Sequence, residues 1–169
     1  MLEWSQERAT MKELTNYLND HLAGSVGALE LLDRLIDTYC EKPFEKFFQG
    51  LRDDIRHDQA QLKELMQKLG AEESAVRKAG AWVVEKLSRA KIELSEDAEG
   101  EVGLLLALEA LVLGITGKRS LWRALKSASR TMPQLARLDY SGLENRAIEQ
   151  CERVEAKRLE VARTAFQEK

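Results

Sequence analysis

The run VGLLLALEALVLGIT, from Val102 to Thr116, carries a single charge, Glu109. A stretch this apolar on every side is expected to be a helix buried from several directions. It is too short to span a membrane, and one of its members is ionisable. A buried carboxylate must find a cation, find hydrogen-bond donors or stay protonated. What Glu109 faces is therefore the first question the chain poses.

The rest of the chain suits a helical answer. Its 169 residues are 44% hydrophobic, enough for one ordinary globular domain over 1–169 with a core of its own. Two prolines and ten glycines leave little punctuation, and charged residues reach 33%, the profile of an all-α protein. With a formal net charge of −3 and acids interleaved with bases, nothing resembles the one-sided basic patch of a nucleic-acid binder. No signal peptide, transit peptide or membrane span is visible. Cys40 and Cys151 lack metal-ligand spacing and read as free thiols of a reducing cytoplasm.

Four long amphipathic segments emerge. Residues 4–39 form the first expected helix, with Leu18, Leu22, Ser25, Leu29, Leu32 and Ile36 alternating by four and three. After a short break at CEKP, the second runs over 43–69. Its seam is Phe44, Phe48, Leu51, Ile55, Asp58, Leu62, Leu65 and Leu69, and Gly70 supplies the stop. So short a break makes these two helices antiparallel neighbours. Residues 71–98 form a long crossover, with an extra helix expected over Glu72–Lys91. The third core helix is expected over 99–129, where Gly114 and Gly117 are potential bends, and Met132-Pro133 ends it. The fourth is expected over 134–168, with Ile148, Glu152, Glu155, Leu159, Ala162 and Phe166 as its seam.

Polar residues interrupt these seams near mid-helix. Ser25 stands on the first, one turn above His21. Asp58 stands on the second, flanked by Asp54 and His57. Glu109 lies in the third helix, and Glu152 and Glu155 in the fourth. Packed as a bundle, they would meet in one polar layer whose carboxylates need a cation. A divalent metal, an inward Arg or Lys, or shared protons would each serve. Helix bundles build dinuclear metal sites from one Glu on each of two helices and Glu-x-x-His on the other two. Asp54-Ile55-Arg56-His57 is an Asp-x-x-His version, and Glu152-Arg153-Val154-Glu155 a Glu-x-x-Glu version. The bland alternatives stand beside these. Glu109 would pair with an inward Arg or with His57. Asp54 and Asp58 cannot face one spot, so one is solvated. A small rotation of the fourth helix turns Glu152 and Glu155 outward into pairs with Lys157 or Arg158.

Three stretches resemble the ferritin-like superfamily, bacterioferritin-type sequences in particular: LNDHLAGSVGALELL, RDDIRHDQAQLKELMQKLG and LALEALVLGITGKRSLWRAL. The resemblance implies a ferritin-like four-helix bundle with a long crossover between its second and third helices. It aligns His57 with the ligand histidine, Glu109 with the third-helix glutamate, and Asp54 with a glutamate. Ser25 falls where the first-helix ligand glutamate belongs, and Glu155, with Glu152 before it, where the second ligand histidine belongs. Two functions follow as expectations. One is a homodimeric interaction or scaffold module that has lost the full di-metal site. The other is a metal-binding, oxidoreductase-like protein holding Fe or Mn at His57, Glu109, Asp54, Glu152 and Glu155.

Overall fold

The computed structural model describes residues 2–71 and 98–167, and in them four α-helices and no strand. They are α1 (Leu2–Thr38), α2 (Glu45–Lys68), α3 (Ala98–Ala128) and α4 (Tyr140–Ala165). A single 3₁₀ turn, Pro133–Leu135, lies between α3 and α4. The helix expected over Glu72–Lys91, and with it most of the crossover, falls outside the described residues.

Side-chain pairs fix the helix directions. Between α1 and α2, Arg52 Nη1 donates to Asp33 Oδ1 at 2.9 Å and Gln59 Nε2 donates to Ser25 Oγ at 2.8 Å. As one number rises the other falls, so the helices are antiparallel. The same holds between α3 and α4, where Glu109 meets Arg158 and Lys118 meets Gln150. Between α2 and α4, Asp54 meets Arg153 and Asp58 meets Gln150. The order is therefore up, down, down, up. Since α2 and α3 run parallel, Ala71 and Ala98 lie toward opposite ends of the bundle.

Local chemistry sets the helix ends. At the end of α2, Gly70 takes φ 65°, its N–H donates to Gln67 O, and Ala71 N–H reaches Met66 O at 2.9 Å. These are the two bonds of a Schellman cap, and the left-handed residue between them favours glycine. α4 starts at Tyr140, later than the expected 134. Asp139 stops the chain short, because its Oδ1 accepts the Gly142 N–H at 3.0 Å as an N-cap. A Cβ on Gly142 would come within 2.5 Å of Asp139 Oδ2, so a side chain there would make the capping carboxylate shift. Buried Leu135 plugs the bundle end below α4, and the Tyr140 hydroxyl donates to its carbonyl at 2.6 Å. α3 passes through Gly114 and Gly117 without a break.

The seam of α2 is as its spacing predicts: Phe48, Leu51, Ile55, Asp58, Leu62 and Leu65 are all buried. α4 is rotated from its expected register. Its inward row is Tyr140, Leu143, Ala147, Gln150, Val154 and Val161, while Glu152, Leu159 and Phe166 are exposed. In α3 the inward row Leu104, Leu108, Leu111, Ile115, Lys118, Trp122 and Leu125 keeps the same four-three spacing through a lysine. The buried apolar residues form two clusters. One holds Leu32, Phe48, Ile55, Leu108 and Ile115, the other Leu22, Leu62, Leu121, Trp122 and Leu143. Ser25, Asp58 and Lys118 lie between them in sequence on every helix that contributes to both clusters from α1 to α3. Cys40 is exposed, Cys151 half-buried, and both are free.

Tyr140→Phe should cost about 1 kcal/mol, because it removes one buried hydrogen bond from the Leu135 carbonyl, which then keeps only the Arg137 N–H. Urea unfolding should show a lowered midpoint with an unchanged slope.

Candidate functional site

The centre of the bundle is an ion cluster around Asp58. Its side chain is 1% exposed, the most deeply buried acid among the described residues. Lys118 Nζ donates to Asp58 Oδ2 at 2.6 Å, and Gln150 Nε2 donates to the same oxygen at 3.0 Å. Lys118 also donates to Gln150 Oε1. Arg146 Nη2 lies 3.1 Å from Asp58 Oδ1, close enough to pair its charge but off the angle of a hydrogen bond. Three helices thus contribute one acid, two bases and an amide. Burial pushes the Lys118 ammonium below its ordinary pKa, and the adjacent Asp58 carboxylate opposes that shift. Gln59, next to Asp58, extends the layer to Ser25 of α1, whose own hydroxyl donates to Leu22 O at 2.6 Å.

The residues read from the sequence as ligands lie elsewhere. His57 is exposed. Glu109 is not the buried carboxylate its setting suggests: its side chain is 45% exposed and accepts from Arg158 Nη1 at 3.2 Å. Helix α3 is apolar all round because its outer face stays apolar, not because it is covered. Glu155 accepts two further bonds from Arg158, at 2.6 and 2.7 Å, and that guanidinium holds the Glu155 carboxyl below its usual range. Glu152 is exposed, and Asp54 pairs with Arg153. Arg158 therefore brings Glu109 and Glu155 together, Glu152 lies one turn before Glu155 on the same outer stripe and lines a surface pocket with Asp54 and Arg153, and His57 takes part in neither group. Nine residues of α3 separate Glu109 from Lys118, roughly 13 Å along the axis. The single polar layer expected across the bundle is in fact two levels. One is the inward Asp58 cluster, the other an outer Glu109–Arg158–Glu155 group. No group of three or more His, Cys, Asp or Glu is gathered to hold a metal among the described residues.

The central residues missed by sequence reasoning are Lys118, Arg146 and Gln150. Lys118 and Gln150 stand on heptad positions otherwise filled by apolar residues, which is the signal that would have found them. Arg146 lies one helical turn before Gln150 and carries no such mark.

Beside the cluster lies a cavity of about 200 Å³. Its walls include His21, Ser25, Gln59, Lys118 and Trp122 among apolar side chains such as Leu62 and Leu111. Burial lowers the pKa of His21, more than the nearby Asp20 raises it. The Tyr17 ring packs edge-on against the imidazole, 4.7 Å between centroids.

Comparison with known proteins returned no match: no family model, no curated protein and no solved structure matches the chain.

Asp58→Ala should cost about 3–5 kcal/mol, since it strands Lys118 in the core. Adding Lys118→Met should recover part of that loss, giving a positive coupling in a double-mutant cycle read by chemical unfolding. His21 sets a pH dependence of its own. Its folded pKa lies below the ordinary 6.5, so between the two values the unfolded chain binds more protons. The contribution is full above 6.5 and shrinks as pH falls from there towards the folded value. Thermal melts across this range should show that slope, and His21→Leu should flatten it.

Proposed function

We propose that this chain is a ferritin-like bundle working as an interaction module, one that pairs with a second copy of itself through the outer face of α3 and α4. The observation that carries this is a second heptad stripe pointing away from the core. On α3 it runs through Val102, Leu106, Glu109 and Leu113, and on α4 through Glu152, Glu155, Leu159 and Phe166. Leu113 is 73% and Phe166 70% exposed. Single exposed apolar residues are ordinary, but a row at helical spacing on two adjacent helices suits a partner helix. The antiparallel α3–α4 pairing places Val102 and Leu106 near the end of the hairpin that carries Leu159 and Phe166. Acids and Arg158 share the stripe, so the face carries both signs. That is what a two-fold, self-complementary contact requires.

The ferritin-like assignment is supported by the quoted sequence stretches and by the parallel run of α2 and α3, which needs one long crossover. The loss of the metal role is supported by the source of the central cations. Lys118 and Arg146 stand against the buried carboxylate, where a metal-holding bundle would use its ion. Among the described residues no helix is long and apolar enough to cross a membrane. The free thiols fit a reducing cytoplasm.

Sedimentation at micromolar concentration should give a dimer. Leu113→Glu and Leu106→Glu should each give a monomer of unchanged helicity. Fe, Mn and Zn should leave the melting temperature of the parent unchanged. A parent that sediments as a monomer overturns the pairing. Metal-induced stabilisation abolished by Glu109→Ala would restore the metal-binding alternative.

A further inference from the structure

Two ion groups stand on the outer side of α3 and α4, and each carries an unbalanced charge. Nearer the start of α3, Arg158 serves two carboxylates, Glu109 at 3.2 Å and Glu155 at 2.6 Å, which leaves one negative charge in excess. Nearer the end of α3, Glu144 serves two guanidiniums, with Arg119 Nε and Arg123 Nε each 3.6 Å from its Oε1, which leaves one positive charge in excess. The two groups share one build with the signs exchanged: a charge on α4 shared by two of the opposite sign. Exposed Glu152 stands between them along α4 and belongs to neither.

The same division runs along α3. From Ala98 to Gly117 its charges are Glu99, Glu101 and Glu109; from Lys118 to Ala128 they are Lys118, Arg119, Arg123 and Lys126. Lys118 turns inward to Asp58, and the other three bases remain on the outer side or its edge. The helix macrodipole favours acids at the start and bases at the end, but only within the first and last turn. Glu109, Arg119 and Arg123 lie deeper than that. Bulk divides in the same way. The exposed row Val102, Leu106 and Leu113 continues through Thr116, Ser120, Ala124 and Ser127, all exposed and all small. One half of the face thus projects apolar side chains and carries the negative excess. The other half is shallow and carries the positive excess.

Resting on the dimer reading above, we propose that the two copies pair antiparallel about a two-fold axis level with Ile115 and Thr116, each copy's Glu109–Arg158–Glu155 group set against the Arg119–Glu144–Arg123 group of its partner. Residue 115 lies midway between Glu109 and the pair Arg119 and Arg123, which places the axis. In this register Leu106 meets the partner's Ala124 and Leu113 meets the partner's Gly117, so large side chains fall on small ones. Each copy supplies one group of each sign, and both contacts are attractive. A parallel pairing would set like charge against like.

Single cysteines in the full chain carrying Cys40→Ser and Cys151→Ser, joined by a short bismaleimide, read the orientation. The antiparallel register holds the two 106 positions about 27 Å apart along the axis and brings the two 116 positions level. Thr116→Cys should therefore crosslink to its own copy and Leu106→Cys should not, while a mixture of Leu106→Cys and Ala124→Cys should crosslink. Charge gives a second reading. Arg123→Glu makes the positive group negative, and Glu155→Lys makes the negative group positive. Each should weaken the dimer at least about tenfold at low salt, and the double variant should regain most of that loss. Leu106→Cys crosslinking to its own copy would overturn the antiparallel register while leaving the dimer in place. A double variant as weak as its parents would overturn the charge pairing. A parent chain that sediments as a monomer would overturn the dimer reading and this register with it.

Discussion

A carboxylate with 1% of its surface exposed cannot stay ionised alone, and the arrangement of this bundle follows from how Asp58 is answered. Its partners come from α3 and α4, and Gln59 beside it reaches α1. Sliding any of these helices by one turn would move its partner about 5 Å out of reach. It would also leave a charge or an amide unpaired in the core, at a cost of several kcal/mol for a charge. Leucines above and below the layer tolerate such slips far better, because one leucine replaces another. The cluster therefore contributes register more than net stability. An apolar replacement of the whole cluster need not be less stable, but it would hold the helices less uniquely. The outer pairs, Asp54–Arg153 and Glu109–Arg158, are half in water and add at most about 1 kcal/mol each.

What the sequence reveals and hides follows the same division. α2 was legible residue by residue, since one face is apolar, the other charged, and Gly70 ends it. α1 was legible in its main seam. α4 was not, because it carries two rows at four-three spacing. One contains Gln150 and Ala147, the other Leu159 and Phe166. By hydropathy the outer row is the better core, so counting apolar residues chose the wrong side. Only the partners decide: Gln150 is inward because Asp58 and Lys118 need it there. Glu109 misled in a related way. A helix apolar on all sides implies cover on all sides, yet Val102, Leu106 and Leu113 are open. Periodicity reports which residues share a face, and not whether anything covers that face. The late start of α4 came from Asp139, whose capping bond outweighs the helix-compatible residues just before it.

The two levels of charge also separate two kinds of surface. At the inner level the acid is ion-paired within the chain, and the residues around it leave a cavity. At the outer level Arg158 pairs with both Glu109 and Glu155 on a face that also carries the exposed leucines Leu106, Leu113 and Leu159. Pairing those acids within the chain lowers the cost of covering them, since a contact that buries a neutralised group desolvates less free charge. The apolar residues on either side then supply the favourable part of any contact.

The cavity and the buried lysine are best understood together. A space of about 200 Å³ beside the core gives up packing contacts that a larger side chain could supply. Filling it with a larger side chain from α1 or α3 would recover them, and Gly24 and Gly114 on its wall leave room for a Cβ. Yet a side chain sealed against Lys118 would bury it further, and more burial would lower its pKa further and weaken the pair with Asp58. Asp58 opposes the effect of burial on the ammonium, and the charge on the lysine in turn holds Asp58 in place.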